Sequence, residues 1–358
     1  MNISLAMLVF DRPLHAALSL SYALANKHAD TDLNVFYSIH RHTPPPSAAM
    51  DAMLKVLESA GYLNYHYIHA DKEQSCGGNV DTLMTTMGSC YKYDCFMKID
   101  DDVLIGAGTD ILMSNTLMAL EDKGILMLMG QVVKQHMRMN KPFSWEVTYE
   151  GQRVVQRARK ACPMETYTAV NPKMMQLLVN GGKSALCEDR KGTYMPYTRK
   201  VTGLGYKVGL VLTPHIKMQH IGLTSTIDPG APRNWAPATS WDNPAVPIDI
   251  PHFNFDEWVT SHITDTQKEF CLSTLNTLNG SVENAERKSG IQLIINEIEK
   301  YSPGQGDVAL PAYASSNLHT SGVRVVHRDG KTITKGTGTL VRRPKTVKRV
   351  LIRHPSKG

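Results

Sequence analysis

The chain has no apolar stretch approaching the roughly 18 residues that cross a bilayer, so no membrane-spanning helix is expected. Its six cysteines (Cys76, Cys90, Cys95, Cys162, Cys187, Cys271) include no C-x-x-C pair and no framework spacing. That excludes a zinc ribbon and a disulfide scaffold, and reduced thiols are expected. Met1–Phe10 lacks a basic start and a small-residue cleavage site, so it reads as a first strand rather than a signal peptide, and cytoplasmic residence is the expectation. No internal repeat is found, which excludes a solenoid. Acidic residues are nearly missing from one end. Ser316–Gly358 holds eleven Lys plus Arg against the single acid Asp329, a formal +10. Given the +6 total, residues 1–315 carry −4. A basic segment on a mildly acidic body suggests a polyanionic partner, with a solvated extension and a membrane-surface anchor as the other readings. The same segment has no aromatic residue, so it offers no base-stacking platform. It also has no amphipathic helix, which disfavours a membrane-surface anchor.

What is present is strand–helix alternation. Ile3–Phe10 is an apolar strand, followed by Asp11 as a helix cap and Pro13 in the first turn. Leu33–Ile39 is a second strand. Pro44-Pro45-Pro46 precedes a helix over Ser47–Ala60 that Gly61 ends. Tyr65–His69 is a third strand, and Gly77-Gly78 leads into a helix near Val80–Tyr91. Asp94–Ile99 is a fourth strand. This spacing predicts a mostly parallel α/β sheet. Further along, the patterns predict a hairpin of Phe143–Tyr149 and Gln152–Gln156, helices over Asn171–Val179 and Gly192–Thr202, and a strand at Lys207–Leu212. Ile227–Pro251 carries six prolines with Trp235 and Trp241, and reads as a long binding loop or lid. Two amphipathic helices follow, near Asp256–Leu278 and Ser281–Tyr301. The tail alternates as a small β-hairpin module would.

The fourth strand ends in Asp100-Asp101-Asp102. Adjacent carboxylates repel and cost stability unless a cation binds them. Hard divalent cations take oxygen ligands, and an extended chain puts Asp100 and Asp102 on one side. A solvated acidic turn is the plainer reading of that triplet taken alone.

Four features come in order: Val9-Phe10-Asp11-Arg12-Pro13; Lys98-Ile99-Asp100-Asp101-Asp102-Val103; Ala185-Leu186-Cys187-Glu188-Asp189-Arg190 with Leu204-Gly205-Tyr206-Lys207-Val208 after it; and Met218-Gln219-His220-Ile221-Gly222. Over residues 1–225 this resembles a glycosyltransferase of the GT-A fold. The first and third features resemble the inverting family 2 enzymes, and the triple Asp followed by Val resembles the family 31 enzymes. The resemblance implies a nucleotide-diphosphate sugar as donor (a UDP-sugar first) and Mn²⁺ or Mg²⁺ as cofactor. It implies Asp102 and Asp100 as metal ligands, completed by His220, with His215 as the alternative. A divalent ion neutralises the charge that develops on a departing diphosphate, and a carboxylate–imidazole set suits Mn²⁺.

By the same resemblance Asp189, with Glu188 beside it, is the base that takes the acceptor's proton; helix capping is the competing role of Asp189. Asp11, Arg12, Asp71, Asp100 and Asp101 are implied on the donor. Trp235 and Trp241 can stack on an acceptor or simply pack a loop. Arg342, Arg343, Lys348 and Arg349 are placed on a nucleic-acid partner.

The expected organisation is a catalytic domain over 1–225, a proline-rich loop and helical extension over 226–301, a linker over 302–322 and a basic module over 323–358. The acceptor favoured by the basic tail is a 5-hydroxymethylpyrimidine in DNA, as in some bacteriophage genomes, presented outside the base stack. The alternatives are a bacterial surface glycan or protein acceptor, a non-catalytic nucleic-acid-binding protein, and a metal-dependent phosphohydrolase or nuclease. The sugar and the oligomeric state are not encoded legibly.

Overall fold

The computed structural model describes residues 1–9, 12–40, 48–70, 83, 86–88, 92–130, 143–149, 152–157, 167–180, 203–211, 216–222, 237–239, 246–302, 323–326, 332–335, 338–341 and 351–353. Strand β1 (Ile3–Val9) is buried along almost its whole length, as a strand covered on both faces must be. Helix α1 (Pro13–Asn26) leads to β2 (Thr31–His40), helix α2 (Ala48–Ser59) to β3 (Asn64–Ala70), and β4 (Cys95–Asp100) follows. β1 pairs in parallel with β2 on one side and with β4 on the other, and β2 pairs in parallel with β3. After β5 (Val103–Ile105) and helix α3 (Thr109–Ala119) come β6 (Ile125–Gly130), β7 (Phe143–Tyr149), β8 (Gln152–Arg157) and β9 (Tyr167–Val170). Helix α4 (Pro172–Asn180), β10 (Lys207–Val211) and β11 (Met218–His220) complete this part.

The central strand order is β3-β2-β1-β4-β9-β6-β10. Of these seven, only β9 runs against its neighbours. The α/β class expected from the sequence is therefore the class observed. The β7–β8 hairpin extends one edge, also as expected. At the other edge β12 (Val323–Val326), within the basic segment, lies antiparallel to β3 and to β13 (Thr332–Lys335).

Helix α1 is buried from Pro13 to Leu24, which a surface helix would not be. It lies between the sheet and three C-terminal helices, α5 (Phe255–Ile263), α6 (Gln267–Ser281) and α7 (Ala285–Lys300). Trp258, Cys271, Leu275, Ile291, Ile294 and Ile295 share one apolar core with Leu5, Leu18 and Leu20. A polar stripe nevertheless runs down α1 at helical spacing: Arg12, His15, Ser19, Tyr22, Asn26. Three of its members bind main-chain carbonyls that no strand partner satisfies. Ser19 Oγ donates to Asp101 O (2.8 Å), Asn26 Nδ2 to Ile105 O (2.8 Å) and Tyr22 Oη to Pro251 O (2.7 Å). The stripe thus fixes the acidic turn at Asp101 and the chain after it at Ile105.

Several expectations are corrected. The cap position of α1 is Arg12, with no side-chain capping bond, rather than Asp11. The first expected C-terminal helix is two, α5 and α6, because Asp265 adopts a left-handed backbone (φ 56°) that a short polar side chain tolerates. Asn254 restarts the chain as the cap of α5, accepting from Asp256 N (3.1 Å) and Glu257 N (3.3 Å). The expected helix over Gly192–Thr202 lies outside the described residues. Both cysteines among the described residues, Cys95 and Cys271, are free and buried. No helix among the described residues is long and apolar enough to cross a membrane.

The helical extension also reaches the acidic turn. Fully buried Trp258 donates Nε1–H to Ile221 O (2.8 Å), and Ile221 N donates to Asp102 O (2.8 Å). Trp258→Phe keeps the six-membered ring but removes the pyrrole ring and its N–H, orphaning a buried carbonyl and leaving a small void, so a loss of at least about 1–3 kcal/mol in unfolding free energy is expected. Denaturant midpoints measure it, and an unchanged midpoint would show that the bond contributes nothing.

Candidate active site

The strand order reverses between β1 and β4: from β1 the chain moves out to β2 and β3, then returns to the other side with β4. Ligands of open α/β sheets collect outside the carboxyl ends of the strands at such a reversal. Arg12 follows β1 there, Asp100 ends β4, and Asp101 and Asp102 follow it. His220 arrives from a distant part of the chain. β11 pairs antiparallel with β5, setting His220 opposite Val103, the residue after Asp102.

The three aspartates are not one extended run. Asp100 ends β4, Asp101 and Asp102 form a turn, and β5 leaves the main sheet. The expectation that Asp100 and Asp102 share a side of an extended chain is therefore replaced by a division of labour. Asp100 is ion-paired with Lys98, which is only 1% exposed. Asp101 is ion-paired with Arg12 Nη2. Asp102 Oδ2 accepts from Arg12 Nη1 at 2.7 Å and lies 3.3 Å from His220 Nε2.

Electrostatics push the two outer carboxyls apart. Burial raises Asp100 above the ordinary carboxylate range; Lys98 pulls it down, the charge of Asp102 adds to the rise, and the net shift is upward. Asp102 is buried as well, but the charges of Arg12 and then His220, with their hydrogen bonds, outweigh burial and hold it well below that range. Arg12 loses hydration on burial and regains more from Asp101 and Asp102, so its guanidinium stays charged. Asp102 is thus a fixed anion and Arg12 a fixed cation.

Close packing keeps this geometry. A methyl group on Gly222 would collide with Asp102 Oδ2 and lie 2.9 Å from His220 Cε1. Gly222→Ala must therefore push the carboxylate or the imidazole aside. A destabilisation of about 1–3 kcal/mol is expected from such overpacking, together with loss of divalent-cation binding. Thermal melts and a Mn²⁺ titration check both, and an alanine variant that binds Mn²⁺ like the parent would show that the pair needs no such clearance.

Two residues beside the site were given no role by the sequence reading. Lys98 sits in an apolar strand, where a lone lysine is easily read as an edge residue. His15 is 8% exposed, stacks edge-on against Trp258 (ring centroids 5.1 Å) and has no hydrogen-bond partner for Nε2. Its position at the i+3 of Arg12 was the available clue. Burial, with Arg12 next, lowers its pKa to about 3, so it is neutral.

Among the described residues no group of three His, Cys, Asp or Glu side chains converges on one point. Asp102 and His220 do converge as a pair, an oxygen and a nitrogen donor 3.3 Å apart with Gly222 leaving room beside them. This fits two adjacent positions on one divalent cation of borderline character, the rest to come from a ligand's oxygens or from water. Of the other residues singled out in the sequence, Asp11, Asp71, Glu188, Asp189, His215, Trp235, Trp241, Arg342, Arg343, Lys348 and Arg349 lie outside the described residues.

No family model matches the sequence, and no curated protein does. Among solved structures, residues 1–349 of TarS from S. aureus superpose with a TM-score of 0.41 at 10% identity, over 92% of this chain and 98% of that one. The TarS 1–349 complex with UDP-GlcNAc gives 0.40 at 11%, over 86% and 75%. A mannosyltransferase from Pyrobaculum calidifontis, in complex with GDP-Man and Mn²⁺, gives 0.39 at 8%, over 84% and 73%. Likeness at this level carries no weight on the chemistry; the strand order and the site geometry do.

Proposed function

We propose that the protein is a glycosyltransferase of the GT-A type that moves a sugar from a nucleotide-diphosphate donor, a UDP-sugar first, to a hydroxyl group with inversion. The observation that carries this reading is the meeting of Asp102 and His220 at the strand-order reversal, with Arg12 beside them. Asp102 and His220 hold Mn²⁺ or Mg²⁺, with Asp100 nearby. When bound, the ion offsets the negative charge that develops on the departing diphosphate.

This chain's residues do the rest. Arg12 supplies a permanent cation near the phosphates, and Lys98 balances Asp100 from inside the sheet. Asp11 and Asp71 contact the nucleoside. Asp189, with Glu188 beside it, takes the proton from the attacking hydroxyl on the face opposite the leaving group, which gives inversion without a covalent intermediate. The motif order around Glu188-Asp189 and Gly205-Tyr206-Lys207-Val208 supports that assignment.

The acceptor is a 5-hydroxymethylpyrimidine in DNA, held by the basic segment through Arg342, Arg343, Lys348 and Arg349, with Trp235 and Trp241 over the extruded base. The +10 charge of residues 316–358 supports it. The test is the intact mass of a hydroxymethylpyrimidine duplex after incubation with protein, Mn²⁺ and a pool of nucleotide sugars. A hexose- or pentose-sized gain is expected. Metal-dependent release of nucleoside diphosphate without that gain would move the acceptor to a glycan or protein. Absence of both signals would overturn the enzyme reading.

A further inference from the structure

Asp102 and Asp101 are nearly sealed from solvent, with side chains 6% and 3% exposed. Two buried carboxylates need compensation, and the forked guanidinium of Arg12 provides one positive charge of it, shared with one arm to each. The arm on Asp102 holds Oδ2, and Oδ2 is also the oxygen nearest His220 Nε2. One oxygen therefore serves two purposes that exclude each other. A cation held between Asp102 Oδ2 and His220 Nε2 would stand against the positive charge of Nη1.

From this we infer that Arg12 is the resident counter-cation of the acidic turn, and that a divalent cation takes Asp102 only by displacing one arm of its guanidinium. The inference rests on the metal reading above and adds the order of events. Arg12 is placed to yield. It occupies the junction between β1 and α1, its backbone is not helical (φ −140°, ψ 73°), and its side chain caps nothing. Its second arm stays on Asp101, so the released arm is tethered rather than lost. Its Nε is buried without a partner, a donor left over in the resting arrangement. The freed Nη and this Nε are then donors for the diphosphate that arrives with the metal. Metal alone binds weakly because it must break the pair. Metal with diphosphate binds well because the displaced arm finds a new anion, so the two ligands favour each other.

The test is Mn²⁺ binding followed by electron paramagnetic resonance of the free ion, with Mn²⁺ alone and then with UDP. Arg12→Gln should bind Mn²⁺ alone about tenfold more tightly than the parent, and UDP should strengthen Mn²⁺ binding in the parent more than in the variant. Asp102→Asn should abolish binding in either background. Should Arg12→Gln fail to fold, Arg12→Lys decides; it keeps the charge but not the fork, and a gain of about threefold or more is expected. Equal or weaker Mn²⁺ binding by the Arg12 variants, with Asp102→Asn still abolishing it, overturns this inference and leaves the metal reading in place. No Mn²⁺ binding by the parent, with or without UDP, overturns both.

Discussion

Asp102→Asn is expected to lower metal-dependent sugar transfer on the order of 10²–10³-fold or more, the cost of removing one group that stabilises developing charge. The effect should be far larger than that of Asp101→Asn. Asp101 is ion-paired with Arg12 and its main-chain oxygen is held by Ser19, contacts that anchor the turn. Asp102 instead binds three residues: Arg12 before α1, His220 on β11 and, through its carbonyl, Ile221 just after β11.

The asparagine variant is a fair probe because it keeps the shape. Its side-chain oxygen can still accept from Arg12, Arg12 keeps Asp101, and the main-chain bond to Ile221 is untouched. A stability loss of about 1–3 kcal/mol is expected, less than for stripping a buried charge of its only partner. The measurement is nucleoside diphosphate release against Mn²⁺ concentration, with a melt of each variant alongside. Transfer within a few-fold of the parent at saturating Mn²⁺ would show that Asp102 is a structural anion and would remove the metal from this position.

The parts of this arrangement that depend on local pattern were legible in the sequence. β1, β2, β3 and β4 stand where apolar runs placed them, the β7–β8 hairpin formed as read, and the aspartate triplet falls at a strand end. The parts that depend on contacts between distant residues were not. β5, β9 and β11 have three or four residues each, too few to show a period of two. Yet β11 is what brings His220 to Asp102, and β9 is what makes the sheet mixed. Trp258 carried no signal because its meaning lies in one carbonyl 37 positions earlier. Lys98 read as one polar residue in an apolar run, and its role appears only when Asp100 is found beside it. Gly222 was part of a recognised motif, but the reason for a glycine there is a collision with Asp102 that only the fold creates. The polar stripe on α1 was fully present as a period, at positions 12, 15, 19, 22 and 26. The apolar positions of the helix repeat at the same spacing and mask it.

One member of that stripe sets a stability that falls in mild acid. His15 is 8% exposed, and its pKa lies near 3 against an ordinary value of 6.5. The unfolded chain therefore takes up a proton at this residue as pH drops below about 6.5, while the folded protein does not until near pH 3. Between those values the unfolded state binds more protons, and stability must rise with pH and decline as pH falls. Fully developed, the loss is about 4–5 kcal/mol, at 1.36 kcal/mol per unit of pKa difference. Above about pH 6.5 the residue is neutral in both states and contributes no slope. Asp100, raised in the folded state, acts in the opposite sense, and Asp102, held low, adds a loss only below the ordinary carboxylate range. A subtraction isolates His15. His15→Phe keeps a ring against Trp258 and removes the unpartnered Nε2, so it should be at least as stable as the parent at pH 7.5. Urea midpoints from pH 7.5 to 4.5 in metal-free buffer should then diverge, the parent losing about 2 kcal/mol more than the variant by pH 5. Parallel curves would mean that His15 accepts a proton within the fold, and that the space between α1, Trp258 and Asp102 is open to water.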